Sequence, residues 1–481
     1  MSRVSTEFSQ DAYQQAIRRL YERINYERVG HPTYSDANYR LDRMRKLLGH
    51  LGDPHLAAPV IHIAGTKGKG STANFIAQML TAAGYRTGLY TSPHLLRLEE
   101  RFRINNQPCS TSDFISLVEQ TQTAADRAER EGIGQATFFE LTTALAFLYF
   151  AQQKVSAVVL EVGLGGRLDS TNVCQPIVSV ITSIGLDHQA QLGHTIAAIA
   201  GEKAGIIKRA VPVVTSARHP DARTTIQEKA DSLSAPVRCI DRDFDCTWQA
   251  LLSGSLSGEE HALRDSGAIR SPVAQCTFLP YYESSFIGRS SWPLSLFGAH
   301  QGDNLAASLA TVDTLAELGW KIPRDALAAA VEQTIVPARL ETVGRNPWRI
   351  IDSAHNPDSV AATMAALDDH FPGRPRTIVL ASSRDKDVES MLRIILGRCQ
   401  RLILTQYHNN PRGLPVEEFS ALAERISVER AVGAISSPLP TQLLTAETPS
   451  AGWQMATKLA GPNDVICATG SFFQAAELLS P

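Results

Sequence analysis

From residue 59 the chain repeats one pattern: a short apolar run, a turn, then a helical stretch. Residues 59–64, Pro-Val-Ile-His-Ile-Ala, run without polar interruption except His62 and end at Gly65. Over 71–83 the apolar Phe75, Ile76, Met79, Leu80 and Ala83 share one helical face, and Gly84 supplies a stop. Further strands are predicted over 86–90, 157–162, 177–183 and 211–215, with helices over 138–153 and near 196–203. Runs this short and this apolar suit strands covered on both faces. Such alternation implies an α/β fold with a doubly wound, mostly parallel sheet, which binds ligands at the carboxyl ends of its strands.

Residues 217–296 break the rhythm. Segments such as 252–261 are turn-rich and weakly periodic, so peripheral strands and loops are expected there. The alternation resumes after Pro337, with strands predicted over 348–352, 377–381, 402–405 and 465–468. At 481 residues the chain is too long for one ordinary core. The expected division is 1–336, carrying the glycine-rich loop, and 337–481, a smaller Rossmann-like unit without one. A hinge near Val336-Pro337-Ala338 would place a cleft between them.

Several classes are disfavoured. A net charge of −3 offers polyanions no general attraction, so nucleic acid is not expected as a partner. The longest apolar stretches fall well short of the ~20 residues a membrane span needs. The first residues, MSRVSTEFSQDAYQQ, lack the apolar segment of a secretory signal, and the seven scattered cysteines form no C-x-x-C pair. A cytoplasmic enzyme is the natural expectation.

The strongest motif is Gly65-Thr66-Lys67-Gly68-Lys69-Gly70-Ser71, between a strand and a helix. Its glycines let backbone N–H groups turn toward phosphate oxygens, and the helix start adds a positive dipole end. Lys69 can reach β- and γ-phosphates, and the Ser71 or Thr72 hydroxyl can bind phosphate. The loop departs from G-x-x-x-x-G-K-[ST] because Gly70 intervenes. Glu161 ends a buried strand, where a carboxylate needs a partner or a metal; Arg167 is one candidate partner. With His188 at the next strand end it forms a credible Mg²⁺ pair beside a triphosphate. Lys203, near a helix C-terminus, is explained equally well as a dipole-stabilising cation. Asp352 and His355 follow a strand in the second unit, and Arg339 stands at the hinge; an Asp–His or Arg–Glu pair bracing a loop is the alternative. Asp385-Lys386-Asp387 reads as a solvated charge run.

These motifs, in this order, resemble the folylpolyglutamate synthase / dihydrofolate synthase family, a branch of the Mur ligases. The resemblance is carried by residues 62–72 (HIAGTKGKGST), 91–95 (TSPHL), 161–169 (EVGLGGRLD), 202–206 (EKAGI) and 352–357 (DSAHNP). It implies that Ser92, rather than the loop serine, joins Glu161 and His188 on Mg²⁺. It implies that Lys203 is N-carboxylated and holds a second ion. It further implies that Asn304, Arg339 and Asp352 contact the nucleotide with His355 beside them. Phe139, Asp169, Thr171 and Asn172 are where the family would hold a pterin. Lys67 stands where many members have Asn, and Ser353 where Gly is usual.

The implied reaction uses ATP and one or two Mg²⁺ ions. A folate or dihydropteroate carboxylate becomes an acyl phosphate that L-glutamate attacks, with Lys69, Lys203, Asp352 and His355 as the catalytic set. A monomer is expected. A UDP-muramoyl amino-acid ligase is opposed by the Gly-Lys-Gly-Ser loop, and a non-catalytic ATP-binding module by the joint presence of Glu161, His188, Lys203 and Asp352.

Overall fold

In the computed structural model the described residues are 2–26, 34–35, 38–251, 272–407, 412–433 and 441–480. They separate into two compact units. The first comprises Met1–Thr247, Thr277–Ser291 and Asp303–Val331; the second comprises Trp248–Cys276, Trp292–Gly302 and Glu332–Pro481.

The first unit is built on an eight-stranded sheet. Its strands are β1 (Val60–Ala64), β2 (Thr87–Tyr90), β3 (Phe102–Ile104), β4 (Gln107–Pro108), β5 (Ala157–Glu161), β6 (Pro176–Ile181), β7 (Val213–Thr215) and β8 (Val237–Cys239). Their spatial order is β4-β3-β2-β5-β1-β6-β7-β8. The run from β2 to β8 is parallel, and β3 and β4 add an antiparallel edge. β1 thus lies in the middle between β5 and β6, and all five of its residues are buried, as the uninterrupted apolar run requires.

Register fixes the site. Ile63 pairs with Glu161 and Ala64 with Ile181, so the turn after β1 opens at the level where β5 and β6 also end. The following helix, Lys69–Ala82, starts two residues earlier than the sequence suggests, capped by Gly68. It is also not amphipathic: Ser71–Ala77, Met79 and Leu80 are all buried. The polar side chains on that helix serve the site and the packing rather than solvent.

Helices Phe138–Gln152 and Ile196–Ala204 match expectation, the second closing at Gly205. In the 217–296 segment a 13-residue helix, Pro220–Ser232, replaces the expected strands and loops. Its buried side is only Ala222, Ile226 and Ala230, a stripe too thin to register as amphipathic. β9 (Phe244–Ala250), β10 (Ala274–Pro280) and β11 (Ser290–Leu294) form a three-stranded sheet in the order β11-β10-β9. The turn-rich stretch 252–261 lies outside the described residues.

The second unit holds a six-stranded sheet: β12 (Glu341–Gly344), β13 (Trp348–Ile351), β14 (Arg376–Leu380), β15 (Arg401–Thr405), β16 (Gln442–Ala446) and β17 (Val465–Thr469). The order is β12-β13-β17-β14-β15-β16, parallel except for β12. β12 and β16 escape the sequence reading because as edge strands they carry few buried apolar side chains. All seven cysteines are free, and no described helix is long and apolar enough to cross a membrane.

Candidate active site

The loop after β1 is stapled to the end of β6. Thr66 N donates to Ser183 O at 2.7 Å, the Thr66 hydroxyl meets Gly185, and Lys67 Nζ pairs with Asp187 at 2.8 Å. Burial pushes the Asp187 carboxyl up, but Lys67 and then His188 outweigh it and hold the group down at about 2. Two glycines are sterically required. A Cβ on Gly65 would lie 1.8 Å from Thr182 Oγ1, and one on Gly68, whose φ is +85°, would lie 2.1 Å from Asn304 Oδ1. Asn304 therefore sits directly on the loop.

Lys69 is the first helical residue, so the open N–H groups of the helix start and its ammonium share one place. Lys69 Nζ donates to Gly65 O at 3.2 Å, and Lys203 Nζ donates to the same oxygen at 2.9 Å. Lys203 lies in the last turn of its helix, as expected, but it is buried rather than at the surface. Burial, then the nearby charge of Lys69, pulls the Lys203 amine down to about 7. One carbonyl serving two lysines beside a helix N-terminus is an arrangement suited to an anion. Thr72 Oγ1, buried in the same turn, has no hydrogen-bond partner.

Glu161 faces this loop. Its Oε2 accepts from Ser92 N at 3.2 Å and would be 3.6 Å from a Cβ on Gly70. Arg167 does not pair with it; Arg167 pairs instead with Glu202, Nε to Oε2 at 3.1 Å. His188 follows Asp187 in a left-handed backbone conformation and caps the short Gln189–Leu192 helix. Among the described residues no group of three or more His, Cys, Asp and Glu side chains could by itself hold a metal. An ion here needs hydroxyl, phosphate and water oxygens beside Glu161, the habit of Mg²⁺.

Beyond β5 the glycine-rich segment Gly163–Gly166 packs under Phe139, whose Cζ would be 2.4 Å from a Cβ on Gly163. Asp169 Oδ2 accepts from Gly163 N (3.0 Å) and Leu164 N (2.9 Å), while Oδ1 accepts from the amide and hydroxyl of Thr171. Burial nevertheless raises its carboxyl. Thr171 Oγ1 also meets His62 Nε2 at 2.8 Å. The Asn172 amide donates to Arg167 O at 2.9 Å and its Oδ1 accepts from Lys208 at 2.8 Å. Asp169, Thr171 and Asn172 thus have their polar atoms engaged within the protein, while Phe139 is half-buried. Sequence reasoning missed the Tyr34 hydroxyl, which accepts from Leu168 N at 3.0 Å, and Asp187 as a partner of the loop; neither carries a local signal.

In the second unit Asp352 takes four donors: Leu340 N (3.1 Å), Ala354 N (3.0 Å), Thr363 Oγ1 (2.8 Å) and Thr469 Oγ1 (3.3 Å). Neither the Asp–His nor the Arg–Glu pair forms. His355 Nδ1 lies 3.0 Å from Ser353 O, Glu341 accepts from Ala338 N, and Arg339 lies over the Phe472 ring at 5.3 Å. Ala338 and Leu340, flanking Arg339, both have positive φ, a strained turn that Asp352 and Glu341 hold. Ser353 has no positive φ and donates to Ala338 O, so this turn does not need the usual Gly.

Residues 63–312 match the Mur ligase middle domain, and 338–472 match the Mur ligase glutamate ligase domain. Folylpolyglutamate synthase of Lacticaseibacillus casei is 35% identical over 406 residues, 83% of this chain and 89% of that protein. Dihydrofolate synthase/folylpolyglutamate synthase of Bacillus subtilis is 37% identical over 359 residues, 73% and 77% of the two chains. The chain belongs to the folylpolyglutamate synthase / dihydrofolate synthase family. It is a ligase of that family. A Mycobacterium tuberculosis folylpolyglutamate synthase, solved with ADP and AMPPCP, superposes with a TM-score of 0.80 at 29% identity, covering 98% of each chain. E. coli FolC, solved with DHPP and ADP, gives 0.75 at 26% identity over 96% of each chain.

Proposed function

We propose that this ligase uses ATP to join the amine of L-glutamate to a carboxylate of a folate or dihydropteroate. The observation that carries the reading is the convergence of Lys69 and Lys203 on Gly65 O at the start of a helix. The Lys69 ammonium and the helix start leave positive charge for a polyphosphate to take up, and the weakened base Lys203 stands beside them.

The acceptor carboxylate attacks the γ-phosphate of ATP, releasing ADP and forming an acyl phosphate. The glutamate amine then attacks the acyl carbon and expels phosphate. Gly65, Thr66, Gly68, Gly70, Ser71 and Thr72 present backbone and hydroxyl donors to the phosphates, and Asn304 borders them. Lys69 stabilises charge on the phosphoryl in transfer, so catalysis is mostly positioning and electrostatics. Ser92, Glu161, His188 and an N-carboxylated Lys203 would hold one or two Mg²⁺ ions, which neutralise phosphate charge. Lys203 is suited to that modification because CO₂ adds only to the neutral amine, and its burial favours the neutral form. Phe139 over Gly163 offers a flat apolar face to the pterin, and Asp169, Thr171 and Asn172 hold that wall in shape. Residues 337–481 carry the remaining proposed contacts, Arg339 and Asp352 to the nucleotide with His355 beside them. The protein acts as a monomer in the cytoplasm.

The test offers ATP, Mg²⁺ and glutamate with dihydropteroate and with tetrahydrofolate separately, and weighs the products. Glutamate-dependent ADP release and a product heavier by one glutamyl residue are expected with at least one acceptor. No such release with any acceptor sinks the reading.

A further inference from the structure

The 217–296 segment has no part in the site described so far, yet Arg218 within it holds Asp303, the neighbour in sequence of Asn304. Arg218, just past β7, lies against three aspartates. Its guanidinium grips Asp303 at two points, Nη2 to Oδ1 at 2.8 Å and Nε to Oδ2 at 3.4 Å. The same group meets Asp245 of β9 at 3.1 Å and Asp241 beyond β8. Asp241 is shared with Arg223 of the Pro220–Ser232 helix, and Cys246 Sγ lies 3.7 Å from Asp303. Planar guanidinium and paired carboxylate oxygens make this contact directional rather than a mere charge pairing.

Asp303 precedes Asn304, and Asn304 is the buried side chain pressed on Gly68. One turn later Ser308 Oγ bonds to Asn304 O at 2.7 Å and approaches Thr72 O at 3.4 Å. The helix containing these residues therefore touches the phosphate loop through Asn304 while Arg218 holds the adjacent side chain, Asp303. A shift of Asp303 would carry Asn304 with it and disturb its packing on the Gly68 turn.

We infer that Arg218 is a positioning residue for nucleotide binding, acting through Asp303 to set Asn304 on the Gly68 turn. The irregular segment after β7 thereby has a role: its Asp241 and Asp245 orient the guanidinium. The inference rests on the nucleotide reading proposed above.

The test is calorimetric titration of the full chain with AMPPCP and Mg²⁺, together with steady-state kinetics. Wild type, Arg218→Ala, Arg218→Lys, Asp303→Ala and the Arg218→Ala/Asp303→Ala double variant are compared. Arg218→Ala should weaken AMPPCP binding and raise the KM for ATP about threefold to tenfold, with the KM for glutamate nearly unchanged. Arg218→Lys should recover only part of the loss, because an ammonium cannot make the two-point contact. The double variant should be no worse than the poorer single variant, as expected for residues acting in series. Unchanged nucleotide affinity in folded Arg218→Ala overturns the inference, as does an equal rise in every KM with a lowered Tm. If wild type itself fails to bind AMPPCP, the nucleotide reading falls and this inference with it. If wild type binds and Arg218→Ala binds equally well, only the inference falls.

Discussion

Lys69 and Lys203, 134 positions apart in sequence, donate to the same oxygen, Gly65 O, at 3.2 and 2.9 Å. Burial first, and then the neighbouring Lys69 charge, makes Lys203 a weaker base than an exposed lysine. A phosphate, or a carbamate replacing the Lys203 ammonium, would in either case set negative charge beside Lys69.

The titration of Lys203 has a direct consequence for stability. Its folded pKa, about 7, lies below the unfolded value of 10.5, so between these values the unfolded chain binds the extra proton. Stability should therefore rise with pH across this window and bear the full burial penalty below pH 7. Lys203→Met should remove that slope and raise Tm in nucleotide-free buffer near pH 7, read by differential scanning calorimetry. A carbamate adds a second readout. Wild-type activity should fall in CO₂-free buffer and return with bicarbonate, whereas Lys203→Ala should be inactive in both. Indifference of the wild type to CO₂ would remove the carbamate from the site.

The Lys67–Asp187 pair ties the loop to the end of β6, and both side chains are partly exposed, so solvent screens much of its strength. Asp187→Asn should cost about 0.5–1 kcal/mol in urea unfolding near neutral pH. Its effect on function should be larger, raising the KM for ATP severalfold because the loop loses its brace. Asp187 titrates at about 2 in the fold against 3.8 unfolded. Its contribution is complete above pH 4 and disappears as pH falls toward 2, so the variant and wild type should converge in stability there. A gap that persists at pH 2 would show another origin.

What could be read from sequence was what is local. Val60–Ala64, Ala157–Glu161 and Val465–Thr469 are legible because uninterrupted apolar runs have few other uses in a soluble chain. The glycine-rich turn between strand and helix was legible because its glycines follow such a run. The helix Pro220–Ser232 was not, because three small or medium buried side chains leave no periodic signal. Nor was the bond from Lys203 to Gly65, since helix-end lysines are ordinarily solvated and only the register of β1, β5 and β6 brings this one inward. Arg167 illustrates the reverse error: the carboxylate nearer in sequence, Glu161, lost to Glu202, whose helix packs beside it. Pairings across 100 residues belong to topology, not to motifs.

Gly68 and Gly70 should differ sharply as alanines. Gly68 has positive φ and meets Asn304 at 2.1 Å from the added carbon, so Gly68→Ala must displace either the loop or Asn304. A loss of about 1–3 kcal/mol in stability and of most nucleotide affinity is expected. Gly70 lies within the helix with ordinary spacing to Glu161, 3.6 Å, and alanine there favours helix by up to about 1 kcal/mol. Gly70→Ala should thus keep or raise Tm. Nucleotide titration then reports whether phosphate approaches the Gly70 backbone, since an unchanged affinity would place the phosphates elsewhere.

Asp352 offers a test of what a buried carboxylate does when all its neighbours are donors. Two amides and two hydroxyls point at its oxygens, and none of these partners is a cation. Replacing it by Asn puts an NH₂ group where an acceptor is needed, leaving at least one donor facing another donor. The expected loss is about 1–3 kcal/mol, the scale of an unsatisfied buried polar group, measured by urea unfolding of Asp352→Asn. Thr363→Val removes one of the four donors and should cost less. The two changes should combine nearly additively, because an Asn oxygen kept at the Oδ2 position, where three donors meet, still accepts from Thr363. The Leu340 amide loses its acceptor in the same step, so the strained turn at Ala338–Leu340 should relax and Arg339 should leave Phe472. A raised KM for ATP in Asp352→Asn, matched by Arg339→Ala alone, would place the effect in that turn. An Asp352→Asn variant as stable as wild type would mean that the carboxylate does not organise the turn at all.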